Sequence, residues 1–138
     1  MGRVWLKPGA SLNGLSAGGA HILAAFTMAA AVVGCDLTVT SGTDGEHSGP
    51  ADPHRAGNAL DVRSHDMRPE RKPELLALVM EELRKVSVRY GGGPALIAKD
   101  GGLATWYFFG FLEAPGTPNE HFHVQVRNGR ALPPHPAA

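Results

Sequence analysis

Apolar and polar positions change their period several times along this chain, and each change marks an element. Residues 17–33, "AGGAHILAAFTMAAAVV", are apolar nearly all round and rich in alanine, which predicts a buried helix rather than a surface one. Ser16 stands where a side chain can cap that helix, and Gly34 where a left-handed residue can end it. "LTVTS", residues 37–41, alternates apolar and β-branched positions and predicts a strand. Residues 42–53, "GTDGEHSGPADP", hold too many turn formers for either element and predict a loop. "ALDVR", residues 59–63, predicts a second strand. Pro73 suits the first turn of a helix over residues 72–88, where Leu75, Leu76, Val79, Leu83 and Val86 share one face. Glu81 and Lys85 then form a solvated pair on its outer side. "YGGGP" breaks the helix, and "LATWYFFGFL", residues 103–112, predicts a third strand whose aromatics serve a core or a groove wall. "EAPGTPN" is a loop, "HFHVQV" (residues 121–126) is a fourth strand, and the tail beyond Gly129 reads as a loosely held extension. The sum is an α+β fold: one small domain over residues 1–138, with two helices against an antiparallel sheet.

Composition narrows the chemistry more than the fold. Thirteen basic residues balance thirteen acidic ones, so no net charge draws the chain to nucleic acid or to an anionic membrane. The apolar run over residues 22–33 is shorter than the roughly 20 residues that span a bilayer. "VVGC" before Cys35 loosely resembles a lipoprotein cleavage site, but no leucine opens it and Arg3 and Lys7 stand far from the apolar run. The expectation is a buried helix, and a protein that is cytoplasmic or released by lysis. Cys35 is the only cysteine, which excludes an intrachain disulfide and a multi-cysteine zinc site. Any bound metal must be held by histidine and carboxylate.

Of the seven histidines, His21 lies in the apolar helix and reads as a core or edge residue with a satisfied ring. His65 and His135 read as solvated, and His47 sits in the long loop, where it could line a cleft. His54, His121 and His123 each stand near a carboxylate at a spacing that a metal site can use. In a strand, alternate side chains share a face, so His121 and His123 project together while Phe122 and Val124 point to the core. Glu120 ideally faces away from His123, and a bend at the strand entrance is needed to turn it inward. In "HRAGNALDV" Gly57 permits a tight turn, Ala59 keeps the approach small, and His54 and Asp61 can converge. Two histidines and a carboxylate leave an open position on a tetrahedral ion.

The pattern H-x-x-G-x-A-x-D, here His54, Gly57, Ala59 and Asp61, resembles the first signature of the D-Ala-D-Ala carboxypeptidase and L-alanyl-D-glutamate endopeptidase zinc metallopeptidases. Glu120 and His123 are similar to the second signature, and His121 and His123 to the H-x-H of some relatives. "LTVTSG", residues 37–42, resembles the strand before the family's substrate-binding loop. The resemblance spans about residues 15–127 and implies a hedgehog/DD-peptidase-like fold. It further implies zinc held by His54, Asp61 and His123, with Glu120 as general base. On that footing His121 would hydrogen-bond the tetrahedral oxyanion. Ser41, His47 and Arg55 become candidate substrate contacts, and the loops over residues 42–53 and 114–119 the groove walls. The implied substrates are stem peptides of bacterial cell wall or other peptides with D-residues, with the L-Ala–D-Glu bond slightly favoured over D-Ala–D-Ala. Two departures stand out. Thr43 and Asp44 follow T-S-G where relatives carry an aromatic residue and an arginine, and Asp52 replaces the serine two before the first histidine. His121, Arg55 or Arg63 would take over the missing contact, or the substrate differs. The rival readings are a soluble D-Ala-D-Ala dipeptidase and a non-catalytic, zinc-stabilised binding domain.

Overall fold

Capping decides where the first helix begins and ends. The computed structural model describes residues 2–44 and 52–137, and in it Ser16 accepts a hydrogen bond from the Gly19 amide at 3.0 Å. The helix, α1, runs Ala17–Val33 and stops at Gly34, whose φ is 76°. The second helix, α2, covers Arg71–Arg89 and buries Leu75, Val79, Met80, Leu83 and Val86. Met80 joins the predicted face, while Leu76 is only partly buried against the core. Glu81 pairs with Arg84 at 2.7 Å, one residue short of the expected Lys85, because the guanidinium reaches both carboxylate oxygens.

Seven strands make one mixed sheet: β1 Val4–Leu6, β2 Leu37–Ser41, β3 Ala59–Arg63, β4 Ile97–Lys99, β5 Gly102–Ala104, β6 Phe108–Glu113 and β7 His121–Val126. Their order across the sheet is β1-β2-β3-β7-β6-β5-β4. The purely antiparallel expectation is corrected at one edge, where β1 pairs with β2 in parallel. Three residues, "VWL", carry too little periodicity to announce such a strand. The single strand expected over residues 103–112 is two, β5 and β6, joined by a tight turn. Thr105 makes the turn: its amide donates to the Phe108 carbonyl at 2.8 Å and its hydroxyl accepts from the Phe108 amide at 2.9 Å. The β4–β5 hairpin closes on Asp100 and Gly101, with φ of 47° and 80°. An Asp-Gly pair at such positive φ is a two-residue hairpin signal, legible in the sequence and missed.

Both helices cover one face of the sheet, and Phe26, Leu60, Val62, Phe108, Phe122 and Val124 fill the space between at 0–1% exposure. Gly110 is part of that packing. A Cβ there would lie 2.8 Å from the Met80 sulfur, so glycine lets α2 sit close on β6. The tail is tied down where a loose extension was expected. Arg130 lies 4.1 Å over the Trp106 ring and the Ala137 amide donates to the Arg89 carbonyl. Among the described residues no helix lies on the opposite face of the sheet, and alternation sends every outward side chain of β3, β7 and β6 there.

Candidate metal centre

Register builds the site from three adjacent strands. In β3, β7 and β6 the cross-strand partners are Asp61, His123 and Phe111 on one rung. The neighbouring rung on one side is Arg63, His121 and Glu113, and on the other Ala59, Gln125 and Phe109. Directly opposed residues sit about 5 Å apart, so each rung is a row of side chains on the helix-free face. His54 arrives from outside the sheet, on a turn set by Gly57. That glycine has φ 75°, its amide donates to the His54 carbonyl, and a Cβ there would meet the Gly14 carbonyl at 2.3 Å. The turn is therefore pressed against the chain leading into α1, and no larger residue fits.

Three groups converge on one point. His54 Nε2 is 3.3 Å and His123 Nδ1 2.9 Å from Asp61 Oδ1, and one ligand atom from each lies within 4.8 Å of the others. The backs of both rings are fixed. His54 Nδ1 donates to the Gly42 carbonyl at 3.0 Å, and His123 Nε2 donates to Gln125 Oε1 at 2.8 Å. Such partners set the tautomer so that the other nitrogen faces the ligand point. Two ring nitrogens aimed at one carboxylate oxygen need protons or a cation between them. Burial pushes all three groups toward their neutral forms, yet the mutual hydrogen bonds prevail. His123 and His54 hold the Asp61 carboxyl far below the usual carboxylate range, and Asp61 raises both histidines. The donor set fits a divalent metal ion.

His121 stands beside this cluster, not in it. Its Nδ1 donates to the Asn119 carbonyl at 2.6 Å, so its Nε2 faces the cleft. That atom is buried and lacks a hydrogen-bond partner among the described residues. It lies 3.2 Å from Glu113 Oε2 and 3.6 Å from Asp61 Oδ1 without the geometry of a bond to either. Phe111 packs against His123 with ring centroids 5.2 Å apart and stacks on Phe109 at 5.3 Å, which gives the site one aromatic wall. A cleft of about 460 Å³ opens on the other side, lined by Lys7, Thr40, Asp61, Arg63, Glu113 and His121 among others.

Glu120 borders the same cleft, but its oxygens are taken. Lys72 Nζ is 2.6 Å from Oε2, the Ser64 hydroxyl donates to Oε2 at 2.8 Å, and the Gly116 amide donates to Oε1 at 3.1 Å. It shares that cleft with Asp61 and His121, and no hydrogen bond or ion pair links it to His54, Asp61 or His123. The Lys72 bond, with the Gly116 and Ser64 bonds, holds its carboxyl down at about 2 against an ordinary 4.5. A carboxyl lowered by folding stabilises the native state fully above its unfolded value and loses that contribution as pH falls to the folded one. Stability should therefore drop between about pH 4.5 and pH 2, with Asp61 extending the loss lower still. Acid titration followed by circular dichroism checks this: Glu120→Gln should flatten the upper part of that transition. An unchanged acid limb would show that the ion pair contributes nothing.

Ser41 is opposite Asp61 in the β2–β3 register, and so stands at the edge of the site. Arg55 is exposed on the His54 turn and does not line the cleft. His47 and most of the loop expected over residues 42–53 lie outside the described residues. The ring of His21 is satisfied as expected, here by the Tyr90 hydroxyl at 3.3 Å. Gln125 and Glu113 were not foreseen. Gln125 continues the alternation of His121 and His123, and that period could have found it. Nothing in the sequence places Lys72 or the Gly42 carbonyl here, since both arrive from distant segments. No family model matches this chain, and no curated protein or solved structure matches it either.

Proposed function

We propose that this chain is a zinc-dependent peptidase acting on short peptides of bacterial cell wall. The observation that carries the reading is the converging His54, Asp61 and His123 set at the edge of an open cleft, with the orphaned His121 Nε2 beside it. His54 through Nε2, His123 through Nδ1 and Asp61 through Oδ1 would hold the ion. Zinc bound there supplies a Lewis acid and makes water a usable nucleophile at neutral pH. Gly42 and Gln125 keep the two rings turned to the ligand point, and Phe111 shields one flank from water. His121 moves the proton. With Nδ1 committed to Asn119, its Nε2 accepts a proton in the neutral ring and donates one in the charged ring, toward a developing oxyanion or a leaving amine. Glu120, neutralised by Lys72, is a weak proton acceptor. Its role in this reading is to anchor the 114–119 loop and the start of β7, which carries His121 and His123.

The substrate class rests on the resemblance of the two histidine-bearing motifs to cell-wall peptidases. The D-Ala–D-Ala bond and the L-Ala–D-Glu bond are the two candidates, with the second favoured. Incubation with purified muropeptides, with and without a zinc chelator, tests it by mass spectrometry. The expected result is chelator-sensitive release of new amino termini at D-Glu. Free D-Ala would move the activity to the other bond, and cleavage of soluble D-Ala-D-Ala alone would make the chain a dipeptidase. A zinc-loaded protein that cleaves none of these would be a binding domain in which the ion serves the fold.

A further inference from the structure

Arg63 has no ion-pair partner among the described residues. It sits on β3 two residues beyond Asp61, on the same helix-free face, and on one rung with His121 and Glu113. It is half-buried, and among the described residues no hydrogen bond or ion pair reaches its guanidinium. The nearby cations are accounted for differently: Lys72 is spent on Glu120, Arg68 pairs with Glu70 and Arg71 with Glu74. Lys7, just after β1, also lines the cleft and has no ion pair among the described residues. The carboxylates in the cleft do not serve either of them. Asp61 is held by two histidines and Glu120 by Lys72, while Glu113, on the same rung, and Asp36 and Asp66, which line an adjoining cavity with Arg63, form an ion pair with neither among the described residues. A guanidinium with no anion paired to it leaves its planar fork open, and that fork matches a carboxylate with two parallel bonds.

We infer that Arg63, assisted by Lys7, is the specificity-determining contact for a substrate carboxylate placed within one or two residues of the scissile bond. The spacing follows from the strand. Residues i and i+2 on one face are about 7 Å apart, so a group seated on Arg63 is about that far along the sheet from the Asp61 ligand point. An extended peptide covers about 3.5 Å per residue, which sets the limit of two residues. Two carboxylates meet that limit: the terminal carboxylate of a peptide cut near its end, and the α-carboxylate of a D-Glu linked through its side chain. The shared chemistry is the carboxylate, and the substrates separate the sources.

This inference rests on the peptidase reading for its kinetics, but not for its binding. The probes are an acetylated L-Ala–γ-D-Glu peptide with its carboxyls free, one with the D-Glu α-carboxyl amidated, and one with the terminal carboxyl amidated. Wild-type protein should prefer the free form by about 10- to 100-fold in kcat/KM, mainly through KM. Whichever amide loses that preference identifies the source. Arg63→Gln should bring the free peptide down to the level of its amide, and Lys7→Gln should do so in part. Arg63→Lys should recover part of the preference, which a merely structural role would not predict. Should no peptide be cleaved, equilibrium titration of the same probes into the zinc-loaded protein must still show the carboxylate preference and its loss in Arg63→Gln. If Arg63→Gln weakens the free and amidated peptides equally, or leaves the preference intact, the assignment is wrong whatever the fate of the peptidase reading.

Discussion

His123→Ala is expected to leave the folded protein nearly free of zinc and to lower peptide turnover by about 10³-fold or more. The size follows from position. His123 stands at the centre of the middle rung, bonded to Asp61 at 2.9 Å and braced from behind by Gln125 at 2.8 Å. Its removal deletes one of the three proposed ligands and leaves Asp61 Oδ1 with His54 at 3.3 Å and His121 at 3.6 Å. Elemental analysis of purified wild-type protein should show about one zinc per chain, and a chelator should remove it together with activity. Added zinc should restore both in wild type but not in the variant. Gln125→Ala, which spares all three ligands, should weaken zinc by about 10- to 100-fold, the usual effect of releasing a ligand's second ring nitrogen. Metal retained at full stoichiometry in His123→Ala would show that the three residues are an ion-pair cluster of the native fold rather than a metal centre.

The second large effect separates proton transfer from metal binding. His121→Ala should keep its zinc and lose about 10²- to 10³-fold in kcat, the range for removing one well-placed group at a developing charge. Glu120→Gln should behave in the opposite way. Breaking its pair with the largely buried Lys72 should cost about 3 kcal/mol of stability, while turnover of the protein that remains folded changes little. Thermal melting and kinetics on the same preparations check both variants. Two outcomes reverse the assignment. If Glu120→Gln is as stable as wild type yet inactive, Glu120 is the base. If His121→Ala releases the metal, His121 is a ligand.

Much of the architecture was written in local pattern. The spans of α1, β2, β3 and β7 follow from periodicity and from the caps Ser16 and Gly34, because side-chain period and backbone hydrogen bonding at an element's ends are local properties. The mixed sheet was not legible in this way. The strand β1 is three residues long and owes its existence to an edge offered by β2. The break at Thr105–Phe108 depends on a hydroxyl bonding a neighbouring amide, which no apolar pattern encodes. The tail is held by Arg130 on Trp106 and by Ala137 on Arg89, contacts between segments far apart in the chain.

The site divides along the same line. That His54 and Asp61 could converge about a glycine turn, and that His121 and His123 share a face, was readable from residue type and spacing; the choice of His123 as the partner of His54 and Asp61 was implied only by the family resemblance. Alternation also required His121 to share a face with His123 and Glu120 to oppose it. The tertiary structure decided what each charge has for company. Lys72, from the first turn of α2, takes Glu120, and Gly42 and Gln125 brace the two rings. The register of β3, β7 and β6 sets Arg63 beside His121, where no anion among the described residues pairs with it. Residue types and spacing determine which groups are able to do chemistry, because those are properties of the chain. Which of them remain available, and which are consumed in holding the fold, depends on distances of a few ångströms between segments that only folding brings together.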